Sequence, residues 1–183
     1  MPRIYVASLS DYNCGEMHGE WIEIDETTDA DEVHEQIEAM LSRSPSVASG
    51  EAEIAEEFAI HDYDEFEGVE IHEYERIETV VQLGNLIAEH GAAFAAFYSE
   101  VCDEDLDLAS SRFGDCYHGG VYESANDWAW ERFEELEPEA YELISTVPGL
   151  NFDPEGYITH AQIDGYSFVE YGPRRVFVFS PLP

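Results

Sequence analysis

Forty-two aspartates and glutamates share this chain with seven arginines and no lysine, leaving a formal net charge of -35 at pH 7. That imbalance limits what the chain can fold into more than any motif does. Even with every arginine paired, most carboxylates have only other carboxylates for company, so self-repulsion opposes the compact state. A stable fold must therefore hide apolar surface beneath an almost uniformly acidic shell. Hydrophobic residues make up 44% and aromatic residues 13% of the 183 positions, enough for a folded core and too many for a disordered chain. Charge kept against such repulsion serves solubility, adaptation to the solvent, or binding to a positive surface. B-DNA carries a negative charge per about 1.7 Å of axis, so the net charge of -35 matches roughly 17 base pairs. A protein so charged can compete with DNA for a DNA-binding cleft.

The acids are not spread evenly. No arginine occurs between Arg43 and Arg76, and residues 51–75 hold eleven carboxylates. The 24 residues Gly120–Leu143 hold eight, with Arg132 the single cation. On a helix beginning near Ser124, Ala125, Trp128, Ala129, Phe133 and Leu136 share one face. Asp127, Glu131, Glu134 and Glu135 line another at i, i+4, i+7 and i+8. Like charges so placed repel by about 0.2–0.5 kcal/mol per pair, and selection for helix stability alone would put an arginine among them. The pattern describes either a solvated amphipathic helix or a surface held by something basic.

Residues 3–9 alternate with period two, and after the turn-rich SDYNCGEMHG the run EWIEID sets Ile22 and Ile24 on one face, which predicts a strand pair. Thr28 or Asp29 caps a helix with the stripe Val33, Ile37, Met40 and Leu41. SRSPSVASGE ends that helix, and EEFAIHDY adds a strand. Residues 1–68 thus read as an N-terminal α+β domain. A helical middle domain is predicted over 69–147. It holds the stripe Ile77, Val80, Val81, Gly84 and Ile87 up to Gly91, then Ala93, Phe94, Phe97, Tyr98 and Val101. The acidic helix and a short one from Pro138 or Glu139 to about Ile144 complete it. Residues 148–183, with a helix after Asp153 and Pro154 and the strands GYSFVEY and RRVFVFS, read as a small C-terminal α+β domain. The fold class is α+β, with two α+β units flanking a helical middle domain.

Absence of a signal-peptide core and of any membrane-length apolar run predicts a cytoplasmic protein with no membrane partner. Cys14, Cys102 and Cys116 form an odd set, read as free thiols rather than a disulfide framework. Catalytic patterns are weak. Without lysine there is no Walker-type phosphate lysine and no Schiff base, and neither GxGxxG nor GxSxG occurs. His34-Glu35 lacks the second histidine of a zinc-protease helix, Glu38 standing in its place. Asp103, Asp105 and Asp107 are spaced like the opening of a calcium loop, but Leu108 stands where glycine is required and Gly114 where the closing glutamate belongs. Cys102, Cys116 and His118 are scattered, as core or loop residues are. No catalytic residue, cofactor or metal is expected, and the chain is not read as an enzyme.

The opening PRIYVASLSDYNCGEMHGEWIEI resembles the N-terminal signature of ArdA-type antirestriction proteins: a strand, a loop with an Asn-rich turn, and a His-Gly-x-Trp segment. The run FGDCYHGGVYESANDWAWERFEEL is similar to the same family's Tyr-Gly-rich turn, serine cap and acidic helix, the antirestriction motif. The similarity spans the whole chain in length and order. Cys14 departs from the asparagine usual there, and Trp128 and Trp130 from smaller or different apolar residues.

The resemblance implies an elongated dimer of three small domains, carried by a mobile element, that acts as an acidic DNA mimic. Such a protein occupies the DNA-binding cleft of type I restriction-modification enzymes, its carboxylates standing in for phosphates, with no bond made or broken. The partners are then a type I methyltransferase or restriction complex and a second copy of the chain, without direct binding to nucleic acid. Glu65, Glu67, Glu70 and Glu73 in the one-sided stretch, and Asp127, Glu131, Glu134, Glu135 and Glu137 on and beside the helix, are expected to face the enzyme. Trp128, Trp130 and Phe133 offer more aromatic surface than a small domain covers and are expected at a two-fold seam. Two other classes compete. An acidic protein adapted to high salt is favoured by the lack of lysine and disfavoured by the clustering of acids, and stability without added salt separates it. A small divalent-metal hydrolase is separated by metal analysis.

Overall fold

Around β1 (Arg3–Ser8) the computed structural model, which describes residues 1–182, builds its first sheet. β1 lies between β2 (Gly19–Glu23) and β3 (Phe58–Asp64), antiparallel to both. Period-two alternation puts Ile4 opposite Ile22 and sends both inward, with Val6 and Ile24 equally buried. On the other face Arg3 lies 4.8 Å over the half-exposed Trp21 ring and pairs with Asp64 at 2.6 Å. α1 (Leu9–Asn13) follows β1, and α2 (Ala30–Leu41) covers the sheet through the predicted stripe Val33, Ile37, Met40 and Leu41. Asp29 caps α2 by accepting from the Asp31 N–H at 2.8 Å. Next come α3 (Pro45–Ser49) and, after β3, α4 (Ile77–His90), which packs on α2. A Cβ on Gly84 of α4 would stand 2.6 Å from Cγ2 of Ile24, so only glycine lets the helix come this close.

α1 and α3 were not expected from the sequence, which gave those segments to loops. A carboxylate distant in sequence from α3 joins them. Asp11 of α1 is fully buried and accepts from the Ser44 hydroxyl at 2.8 Å and from the Ser46 N–H at 2.9 Å, where α3 begins. Burial opposes its ionisation, but hydrogen bonds from Ser46, Ser8 and Ser44 outweigh it and hold the carboxyl well below the usual carboxylate range.

The chain divides into two compact units, Met1–Ala95 and a second from Ala96 onward. α5 (Ala92–Glu100) spans the division. The second unit contains α6 (Leu106–Cys116), β4 (Val121–Tyr122), α7 (Ala125–Leu136), α8 (Pro138–Thr146), α9 (Pro154–Ile163), β5 (Ser167–Glu170) and β6 (Val176–Phe179). Its antiparallel sheet runs β4-β6-β5. Phe97 packs on Phe113 and Phe179 with ring centroids 5.6 and 5.0 Å apart, and both ends of β6 are buried. α6 was missed: the aspartates weighed as a calcium loop precede and start a helix, Asp105 accepting from the Leu108 N–H at 2.9 Å as its N-cap. The expected boundaries at 68 and 147 each fall inside a unit, since α4 packs on α2 and α7 packs on α9, β4 and β6.

Replacing Asp11 with alanine strips buried donors of their acceptor and is expected to destabilise the chain by about 1–3 kcal/mol in urea unfolding. Because the folded carboxyl is depressed, its contribution is complete above about pH 4, the unfolded value, and falls away as pH drops toward the folded one. Asp11→Ala should therefore show a weaker loss of stability on acidification below that pH than the parent chain.

Candidate partner-binding surface

Ser124 starts α7. Its hydroxyl oxygen accepts from the Asp127 N–H at 3.2 Å and the hydroxyl donates to the Asp127 carboxylate at 2.7 Å, closing a reciprocal cap with the negative charge at the positive end of the helix dipole. Asp127 thus has a structural task as well as an exposed position. Glu131, Glu134 and Glu135 follow along the same exposed row, and Glu137 sits at the junction of α7 and α8, also exposed. Arg132 spends its guanidinium on Glu135 at 2.6 Å. Glu131, Arg132 and Glu135 line a depression of about 460 Å3 together with His118, Tyr122 and Tyr166. Burial raises the Tyr122 phenol above its ordinary pKa, and the charge of Glu131 adds to this.

The aromatic residues of α7 are largely used within the unit, and Trp128 lines the same depression as Glu131 and Glu135. Trp128, 7% exposed, stands edge to face on Phe168 at 4.9 Å and leans on Tyr157 and Tyr166. Phe133 stacks on Phe152 at 4.3 Å and is buried. Trp130 meets the same Phe152 edge to face at 4.9 Å and keeps 36% of its surface exposed. Phe152 was not singled out from the sequence, because a lone phenylalanine in a connecting segment carries no periodicity. α8 buries none of its residues, and Leu136, Leu143 and Val147 are 52%, 53% and 41% exposed.

The other expected acids lie in the first unit on coil after β3. Phe66, Val69 and Ile71 are buried there, while Glu65, Glu67, Glu70 and Glu73 are exposed. Glu65 pairs with the amino terminus of Met1. Glu65 and Glu67 take φ of +60° and +54°, a left-handed conformation that costs a residue with a Cβ about 1–2 kcal/mol. The pegging of Phe66 between them accompanies that conformation.

Cys14 is an exposed free thiol; Cys102 and Cys116 are buried, and burial pushes the Cys102 thiol up to about 11. Among the described residues no three His, Cys, Asp or Glu side chains converge as a bound metal would need, and no helix is long and apolar enough to cross a membrane.

A family model for antirestriction proteins of the ArdA type matches residues 4–174. The chain belongs to that family. Both quoted signatures, the opening strand and loop and the capped acidic helix, fall within the match. No curated protein matches the chain. Membership of the ArdA family makes antirestriction the function, and restriction-modification enzymes the class of protein acted against.

Within the ArdA chain, the Arg132–Glu135 pair is a surface contact with side chains 36% and 66% exposed. Arg132→Gln should change thermal stability by less than about 1 kcal/mol, read as a small shift of the unfolding midpoint.

Proposed function

We propose that the chain is a DNA mimic that acts in the cytoplasm, occupies the DNA-binding cleft of type I restriction-modification enzymes and excludes their duplex, without catalysis and without binding nucleic acid itself. The row of acids on α7 is the observation that supports this most. The nine residues from Asp127 to Glu135 rise by about 12 Å and carry four carboxylates. One DNA strand presents a phosphate per about 3.4 Å, between three and four over that length. α7 thus approaches the linear charge density of a single strand; Asp127 also serves the helix cap and Glu135 is paired with Arg132, which leaves Glu131 and Glu134 as the acids of the row that helix stability does not explain. Glu65, Glu67, Glu70 and Glu73 form an exposed acidic stretch of their own on the other unit. Lysines and arginines that hold phosphates would meet carboxylates instead. As in other members of its family, the gene would travel on a mobile element.

Titrating the protein into a type I methyltransferase–DNA complex should release free duplex at stoichiometric amounts; DNA that stays bound at excess inhibitor refutes mimicry. Affinity should come from summed charge. Glu131→Gln or Glu135→Gln alone should cost under about 1 kcal/mol, whereas amidating Asp127, Glu131, Glu134 and Glu135 together should weaken binding strongly and flatten its salt dependence. Loss of binding should steepen as salt passes roughly 0.15 M, where the Debye length is near 8 Å.

The chain is further proposed to work as a homodimer whose seam includes Trp130, with Trp128 and Phe133 supporting it from the same helix. The half-exposed Trp130, the uncovered Leu143 of α8 and Val147 just after it support an apolar contact beside the acidic row. Light scattering should give a dimer-sized species for the parent and a monomer-sized one for Trp130→Glu; equal sizes remove Trp130 from the seam.

A further inference from the structure

The N-terminal unit carries a second recess that the acidic row on α7 does not use. A groove of about 700 Å3 lies between α1, the loop after it, β3 and residues 71–74. Ile60 and Ile71, 4% and 6% exposed, contribute its apolar surface. Tyr12, Tyr63 and Tyr74 line it too, yet keep 54%, 36% and 71% of their surface exposed. His61 holds Tyr12 edge to face at 5.0 Å. Glu73 lies beside the rings, and its neighbouring carboxylate raises the Tyr74 phenol above its ordinary pKa.

Three exposed tyrosines and a carboxylate around an apolar surface are ill suited to an anion and well suited to a cation with a hydrocarbon stem. The wall of the groove from Ile60 to Tyr74 belongs to the stretch between Arg43 and Arg76, which has no arginine of its own and holds eleven carboxylates over residues 51–75. We propose that this groove receives an arginine side chain of the restriction enzyme, its stem over Ile60 and Ile71 and its guanidinium against the tyrosine rings and the Glu73 carboxylate. Arginine fits better than lysine, because a planar guanidinium stacks on a ring while still offering donors to a carboxylate. The proposal rests on the reading of the chain as a DNA mimic, which supplies a partner whose DNA-binding surface is rich in such side chains. It adds a contact that phosphate does not offer: a ring face retains a cation when salt has screened the longer-range attraction.

The test uses the full chain, with N-acetyl-arginine methylamide as probe and its citrulline counterpart as neutral isostere, followed by NMR. Saturable shifts of the Tyr12, Tyr63 and Tyr74 ring signals are expected with arginine and not with citrulline. Equal shifts from both probes, no shift, or shifts no larger there than at the acids of α7 would overturn the proposal. Tyr74→Leu should weaken the arginine probe about two- to fivefold, while Tyr74→Phe retains its affinity. In displacement of DNA from a type I methyltransferase, Tyr74→Leu should raise the amount required by the same factor and leave the salt slope unchanged. An unaltered requirement refutes the groove even where the parent displaces DNA. If the parent fails to displace DNA, the mimic reading falls, and the arginine probe still decides whether the groove binds guanidinium.

Discussion

Apolar burial has to hold this chain together against its own charge, and the rest of the structure follows from that contest. Ion pairs cannot do it. Arg3, Arg43, Arg76, Arg112 and Arg132 each sit within 4.0 Å of a carboxylate, but all five are surface pairs, worth at most about 1 kcal/mol apiece. What remains is packing: Ile4, Ile22, Ile24, Val33 and Ile37 in the first unit, and Phe97, Phe113, Phe177 and Phe179 in the second, each nearly or wholly removed from water. Aromatic rings suit this task because each buries a large area on few rotatable bonds. Trp128 is consumed in the same way, which leaves Trp130 as the half-exposed tryptophan of α7.

The acids are fitted into the local structure wherever a negative charge is favourable. Asp29, Asp105 and Asp153 cap α2, α6 and α9, so three carboxylates accept from helix N–H groups, and at α7 the Asp127 carboxylate accepts from the hydroxyl of the capping Ser124, all four at the positive ends of helix dipoles. The complementary device is sparse, for no arginine lies in the last turn of α2, α6, α7 or α8. Arg43, just past α2, donates to the Ala39 carbonyl at 3.0 Å, and His90 and His160 stand in the last turns of α4 and α9. The surplus acids sit on exposed faces, where the proposed mimicry of DNA would use them.

Much of the secondary structure was legible because it rests on local spacing. The alternation in residues 3–9, the stripe Val33, Ile37, Met40 and Leu41, the break at Gly91 and the serine cap before α7 all specify elements from neighbours within a turn or two. α1 and α3 were illegible because each is short and what joins them is Asp11 reaching Ser44 and Ser46, a contact separated by 33 and 35 residues. α6 was hidden by a different ambiguity: aspartates at alternate positions fit the opening of a metal loop and the approach to a helix cap equally well, and only the chain after Asp105 settles which.

Charge, the acidic row on α7 and family membership were thus determined by the sequence itself, since they depend on residue identity and on helical period. Tertiary structure decided which aromatic residues are spent on the core. Trp128 and Trp130 are two positions apart, about 200° around the helix, and nothing in their local spacing says which one α9 and β5 will cover. Nor does it say that Phe152 will lie on Phe133, or that Tyr12, Tyr63 and Tyr74 will line one groove. Those outcomes depend on segments far apart in the chain meeting in space, and periodicity within one segment carries no information about its distant neighbours.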